Sequence, residues 1–178
     1  TKDTPEWSGD YLLTILAMVT HQIALYEVFQ REHGLPRYLV AESDGEPAAF
    51  YASGMLGEGV EALRQTLALA LESSWTLRMT SDAVGKRRMG IAVGLSQKQL
   101  KEVLAEVDGG ISIDDSEKMF IVNYPLAQAA KLKELMEAKK GRLIVSNIPV
   151  SSHDTHLFTA ETAPIWQSMQ QFLESLHI

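Results

Sequence analysis

The sequence predicts an α/β fold, a helix-strand-helix part followed by a small α+β subdomain. Two observations carry that expectation. Residues 86–150 alternate between period-2 and period-3.6 apolar patterns in the order β-α-β-β-α-β, the split-βαβ or ferredoxin-like signature. Ahead of them a long apolar helical pattern leads to a short apolar run, residues 37–41, and then to a proline-started helix. The chain so divides into a serine-bearing part, residues 1–85 with 151–178, and the small subdomain, residues 86–150.

Each element has its own signal. Residues 9–34 carry Leu12, Leu16, Val19, Ile23, Leu25 and Val28 at helical spacing and end at Gly34, a C-cap, with Pro36 beyond. "RYLVA" (37–41) reads as a short buried strand. A helix starts at residue 46 with Pro47 in its first turn, where the missing N–H does no harm. Residues 57–79 read as a long helix and 86–95 as a strand. Ser96 is the N-cap of a helix over 96–107. Residues 109–115 and 117–125 form a hairpin pair turning at Asp-Ser, 126–140 a helix closed by Gly141, 142–150 a strand, and 157–176 the final helix.

Bulk properties bound the partners. The 178 residues suffice for one good-sized domain with a real core. A net charge of −7 argues against a nucleic-acid binder, and Lys86-Arg87-Arg88 reads as a solvated strand start rather than a basic patch. With no cysteine there is no disulfide and no thiol catalysis, which fits a cytoplasmic protein. No apolar run approaches the roughly 18 residues needed to cross a bilayer, so no membrane is expected. The polar, acidic N-terminus is unlike a signal peptide, and a start at Thr1 points to a processed, excised or trimmed chain.

The sharpest local feature is Ala41-Glu42-Ser43-Asp44-Gly45, between the short strand and the proline-started helix. A nucleophilic serine on a tight strand-turn-helix bend needs small residues two positions either side, the G-x-S-x-G pattern, and here alanine replaces the first glycine. The helix beyond aims its N-terminal amides at the site, and the N–H of Asp44 is one oxyanion donor. Alone, the pentad fits a capping loop serine equally well.

The match is longer than the pentad. Residues 24–26, 43, 45–46, 49, 52 and 54–56 fit the pattern of an Ala-Leu-Tyr helix, a strand, Gly-His-Ser-x-Gly-Glu, an alanine-rich helix and an Ala-Gly-x-Leu turn. "MGIAVGL" and "VNYPLAQ" continue it, followed by "IPVSSHDTHLF". In this order, over about residues 4–165, the chain resembles malonyl-CoA:acyl-carrier-protein transacylases and polyketide-synthase acyltransferase domains. The resemblance implies a partial α/β-hydrolase-like acyltransferase core with an inserted ferredoxin-like subdomain. It also implies transfer of an acyl group from acyl-CoA through Ser43 to an acyl carrier protein or to water.

The family uses a Ser-His pair. His153 matches its Ser-His loop with one inserted residue after it, and His156 is the second candidate. His21 reads as a satisfied core residue of its apolar helix, and His33 and His177 as element ends. A zinc site at His153-x-x-His156 lacks further ligands, so neither metal nor cofactor is expected. Trp75 stands where malonyl-selective members carry an arginine for the substrate carboxylate, with Arg78 one turn on. Trp75 as plain core packing is the alternative, and Gln128 in the "NYPLAQ" segment completes the substrate-binding candidates.

The departures are equally specific. Glu42 replaces the family's histidine before the serine, and Asp44 replaces the bulky apolar residue after it. Both charges would oppose an oxyanion unless they are turned away or paired. Family members are longer, beginning with a strand and a Gly-Gln-Gly turn that supplies the second oxyanion donor and ending with further strands. The lone strand "RYLVA" therefore needs partners, from a second chain for example. A non-catalytic or split acyltransferase-fold module, acting as a binding or scaffold partner in a fatty-acid or polyketide assembly, is the alternative function.

Overall fold

The computed structural model describes residues 7–146 and 150–177. The chain packs as two compact units, residues 1–76 with 166–178, and residues 77–165. The sheet subdomain read at 86–150 lies within the second unit.

In the first unit, α1 (Trp7–His33) is closed by Gly34, which is left-handed (φ 80) and donates its N–H to Gln30 O at 2.9 Å. Its buried stripe is Tyr11, Ile15, Val19 and Ile23, one residue per turn. His21 falls off that stripe and is exposed, so it is not the core histidine expected from the apolar character of the helix. Leu25 and Val28 are exposed as well. The stretch Tyr11–His33 is long and apolar enough, by length and composition, to cross a membrane, which corrects the expectation that no such run exists.

Helix α2 (Glu46–Ser53) begins at Pro47 and ends at left-handed Gly54 as its sequence dictates. Helix α3 (Gly59–Ala83) runs through the boundary between the units. Residues 37–42 are not a buried strand. Tyr38, Leu39 and Val40 are exposed, Val40 by 97%, and no strand lies in this unit among the described residues. A strand is a pairing, and β-branched composition cannot create the partner.

The second unit holds the ferredoxin-like part. Strands β1 (Arg87–Val93), β2 (Gly110–Ser116), β3 (Met119–Pro125) and β4 (Arg142–Val145) form an antiparallel sheet in the order β2-β3-β1-β4. Ile91 pairs with Ile121 on one side and Ile144 on the other. The hairpin turns at Glu117-Lys118 rather than at Asp-Ser, because Ser116 still pairs with Met119. The last strand was expected to run through residue 150, but residues 147–149 are outside the described residues.

Helices α4 (Gln97–Ala105) and α5 (Ala129–Ala138) cover one face of the sheet. Ser96 and Gln99 make the reciprocal capping box that starts α4. The core joins Leu100, Val103 and Leu104 of α4 and Leu132 and Met136 of α5 to Ala92, Phe120, Val122, Tyr124 and Leu143 of the sheet. Each leucine, valine, phenylalanine or methionine among them contributes about 1.5–3 kcal/mol by leaving water. Gly141 must be glycine here, since a Cβ would stand 2.7 Å from Leu95 Cγ. The final helix α6 (Ala163–Ser175) starts six residues later than its apolar pattern suggests. Residues 155–157 form a 3-10 turn, and Pro164 fits only the first turn of the helix.

Candidate active site

The backbone around Ser43 is a sharp corner. Glu42 is extended (φ −140, ψ 135), Ser43 is left-handed (φ 55), and residues 43–45 make one 3-10 turn before α2 begins. Gly45 N–H donates to Glu42 O at 3.0 Å, and Glu46 N–H donates to Ser43 O. The left-handed region costs a residue with a Cβ roughly 1–2 kcal/mol. A serine held there ahead of a helix is in a region that residues with a Cβ seldom adopt.

Beside it lies a groove of about 530 Å³. Met18, Gln22 and Tyr26 of α1 form one wall, residues 39–45 another, and Ala48, Ala49 and Ala52 of α2 the rest. Tyr26 Oη donates to Ala52 O at 2.9 Å, which fixes the wall. Gln22 Nε2 is 4.0 Å from where a Cβ on Gly45 would stand, and its Oε1 is buried with no hydrogen-bond partner among the described residues. The two acidic neighbours of Ser43 differ. Glu42 is exposed, whereas Asp44 is half-buried and its charge reaches α1. Burial first, then Asp44, pushes the Tyr11 phenol up to about 12, against a lowering hydrogen bond from Ser74.

The loop with both candidate histidines is built on a buried arginine. Arg87, 1% exposed, is the first residue of β1, and it corrects the reading of Lys86-Arg87-Arg88 as wholly solvated. Its Nε donates to Asp154 Oδ2 at 2.6 Å, and its Nη2 donates to Asp108 O at 2.9 Å and Asn123 Oδ1 at 2.7 Å. Ser151 Oγ donates to Asp154 Oδ2 at 2.9 Å, and Asp154 Oδ1 caps the 3-10 turn by accepting from His156 N at 3.0 Å. His156 Nδ1 lies 2.8 Å from Asp154 Oδ1, and its Nε2 lies 3.5 Å from Asp108 Oδ1. Burial alone would push the Asp154 carboxyl up, but hydrogen bonds from Arg87 and His156 and the Arg87 charge outweigh it and hold it below the usual range. His153 is exposed and left-handed (φ 52), with no hydrogen bond or ion pair to a described residue.

Trp75 is 47% exposed on α3, so it is not a core residue. Arg78 donates through Nε to Asp82 Oδ2 at 2.6 Å, while its Nη1 is buried without a partner among the described residues. Gln128 ends the 3-10 turn before α5 and is half-buried. Among the described residues no cluster of three or more His, Asp or Glu is arranged to hold a metal ion. Gln22, Arg87, Asp108 and Asp154 escaped the sequence reading. Two signals could have found some of them: Met18, Gln22 and Tyr26 share one face of α1 at four-residue spacing, and Asp154 stands between the two histidines as an Asx cap.

No protein-family model matches the chain, and no curated protein does. Solved structures do. FabD from Acinetobacter baumannii superposes with a TM-score of 0.72 at 20% identity, covering 90% of this chain and 50% of that one. The malonyl CoA-acyl carrier protein transacylase from Burkholderia pseudomallei gives 0.71 at 21%, covering 98% and 57%. The acyltransferase domain of the polyketide synthase PpsC of Mycobacterium tuberculosis gives 0.70 at 20%, covering 93% and 46%. At these identities the likeness establishes the fold, and the chain spans about half the length of the structures it matches.

Proposed function

We propose, from this acyltransferase fold, that the chain moves an acyl group from a thioester such as acyl-CoA through an ester on Ser43 to a carrier-protein thiol or to water. The observation that carries the reading is the left-handed corner at Ser43 ahead of α2. In the first half-reaction the Ser43 Oγ–C bond forms and the thioester C–S bond breaks. The hydroxyl proton passes to a histidine of the 151–157 loop, His153 or His156, and from there to the departing thiolate. The Asp44 N–H helps hold the oxyanion. In the second half-reaction a thiol or water attacks the ester with the same proton traffic reversed.

The acyl group is uncharged on this reading. Trp75 stands at the position of the carboxylate-binding arginine, and Arg78 has given its Nε to Asp82, which spoils a bidentate fork. Gln128 is assigned to substrate binding with them. The setting is cytoplasmic. Incubation with acetyl-, butyryl- and malonyl-CoA followed by intact mass and peptide mapping tests the proposal. An adduct on Ser43 that Ser43→Ala abolishes is expected, strongest with an uncharged chain. No adduct from any donor overturns it.

One observation favours a second reading, a non-catalytic or split module. Residues 37–42 pair with no strand among the described residues, which leaves them open to strands from another chain. Sedimentation with candidate partner chains distinguishes the two, since a stable complex that alone acylates Ser43 favours the split form.

A further inference from the structure

We infer that Asp154 is a positioning residue that fixes His156 in the Nδ1–H tautomer and leaves Nε2 as the proton-accepting atom. The inference rests on the reading of this loop as the source of the base, and it chooses between the two histidines. It follows from counting hydrogens. Arg87 Nη2 has two, and they go to Asp108 O at 2.9 Å and Asn123 Oδ1 at 2.7 Å. None remains for His156 Nδ1, although Nη2 lies 3.2 Å from it.

The carboxylate of Asp154 is an acceptor only. Its Oδ2 takes Arg87 Nε and Ser151 Oγ, and its Oδ1 takes the His156 backbone N–H. The fourth contact, His156 Nδ1 to Oδ1 at 2.8 Å, would set two acceptors face to face unless the ring nitrogen carries the hydrogen. With Nδ1 protonated, all four lone-pair sites of a fully buried carboxylate are filled, as burial demands.

A neutral imidazole with its hydrogen on Nδ1 has its lone pair on Nε2. Among the described residues the charged group beside Nε2 is Asp108, whose Oδ1 at 3.5 Å is an acceptor that supplies no hydrogen. Arg87, Asp108 and Asp154 are the charged groups that face the ring. Tautomer, ring orientation and a free basic nitrogen are what a general base needs from its orienting partner. His153 has none of the three, being exposed and without a partner among the described residues.

Ring nitrogen NMR of the ¹⁵N-labelled chain at about pH 9, above the ordinary histidine range, reads the tautomer directly. His156 is expected to show a protonated-type Nδ1 and a lone-pair-type Nε2, the reverse of the form free histidine favours in water. A His156 signal of the Nε2–H form, or an average of the two, overturns the inference whatever the activity. In Ser43 acylation, Asp154→Asn is expected to lower the single-turnover rate about 10²–10⁴-fold with little change in donor binding. His156→Gln is expected to lower it at least as far, and a His153→Gln loss equal to that of His156→Gln overturns the assignment. A chain that shows the Nδ1–H form but never takes an acyl group sinks the acyl reading alone.

Discussion

Ser43 occupies a backbone region that a side chain makes unfavourable, and nothing around it compels a hydroxyl on stability grounds. The φ of 55 belongs to glycine by preference, and Gly45 follows two residues on in an ordinary helical conformation. If the corner is held by its turn bonds and by α2, Ser43→Gly relieves it and raises stability by about 1 kcal/mol, while Ser43→Ala keeps the strain. Urea unfolding followed by tryptophan fluorescence reads the difference, since Trp7, Trp75 and Trp166 all belong to the serine-bearing unit. A loss on Ser43→Gly would mean that the hydroxyl itself stabilises the corner. A gain on Ser43→Gly would mark a trade of stability for a presented oxygen, which the pentad alone does not distinguish from a capping serine.

At the scale of elements, β1 and the 151–157 loop are joined by one buried ion pair. Removing one partner of such a pair leaves the other charged in a dry place, so Arg87→Met is expected to cost about 3–5 kcal/mol at neutral pH. Adding Asp154→Leu is expected to restore much of it. The acid dependence has a definite sign. Asp154 is depressed in the folded chain, so its contribution is complete above the ordinary aspartate pKa of about 3.9 and fades as pH falls through the lower folded value. Arg87→Met removes the chief lowering influence, so its penalty is expected to shrink in acid as Asp154 takes a proton. Urea midpoints of both chains at pH 7 and pH 4 check this, and an equal penalty at the two would deny that Asp154 is charged in the folded protein. The helices and the four strands were legible because caps and periodicity are local, as the Ser96–Gln99 box and Gly34 illustrate. Arg87 was not, because what buries it lies 21, 36 and 67 residues away. His21 was misread for a different reason: the apolar content of α1 hid the four-residue stripe that excludes it.

For the whole molecule, the two units are unequal in how well their sequence explains them. The second unit closes its sheet with helices α4 and α5 on one face, so its fold is complete within residues the periodicity already assigned. The first has a helical core and a segment, residues 37–42, whose strand-like composition meets no strand among the described residues. The chain matches about half the length of solved acyltransferases, and the unit with Ser43 shows no strand among the described residues. An extended segment without a ladder has N–H groups bonded only to water, and these exchange fast. Backbone amides of residues 38–42 are therefore expected to exchange with deuterium at nearly unfolded-chain rates, whereas those of β1 and β3 are slow. A partner that supplies strands would slow the 38–42 amides in proportion to its occupancy and leave β3 unchanged. Protection of 38–42 in the chain alone that rises with protein concentration would mean that copies pair edge to edge through this segment. Protection independent of concentration would show that a strand partner lies within the chain itself, and the partner-strand reading would fall.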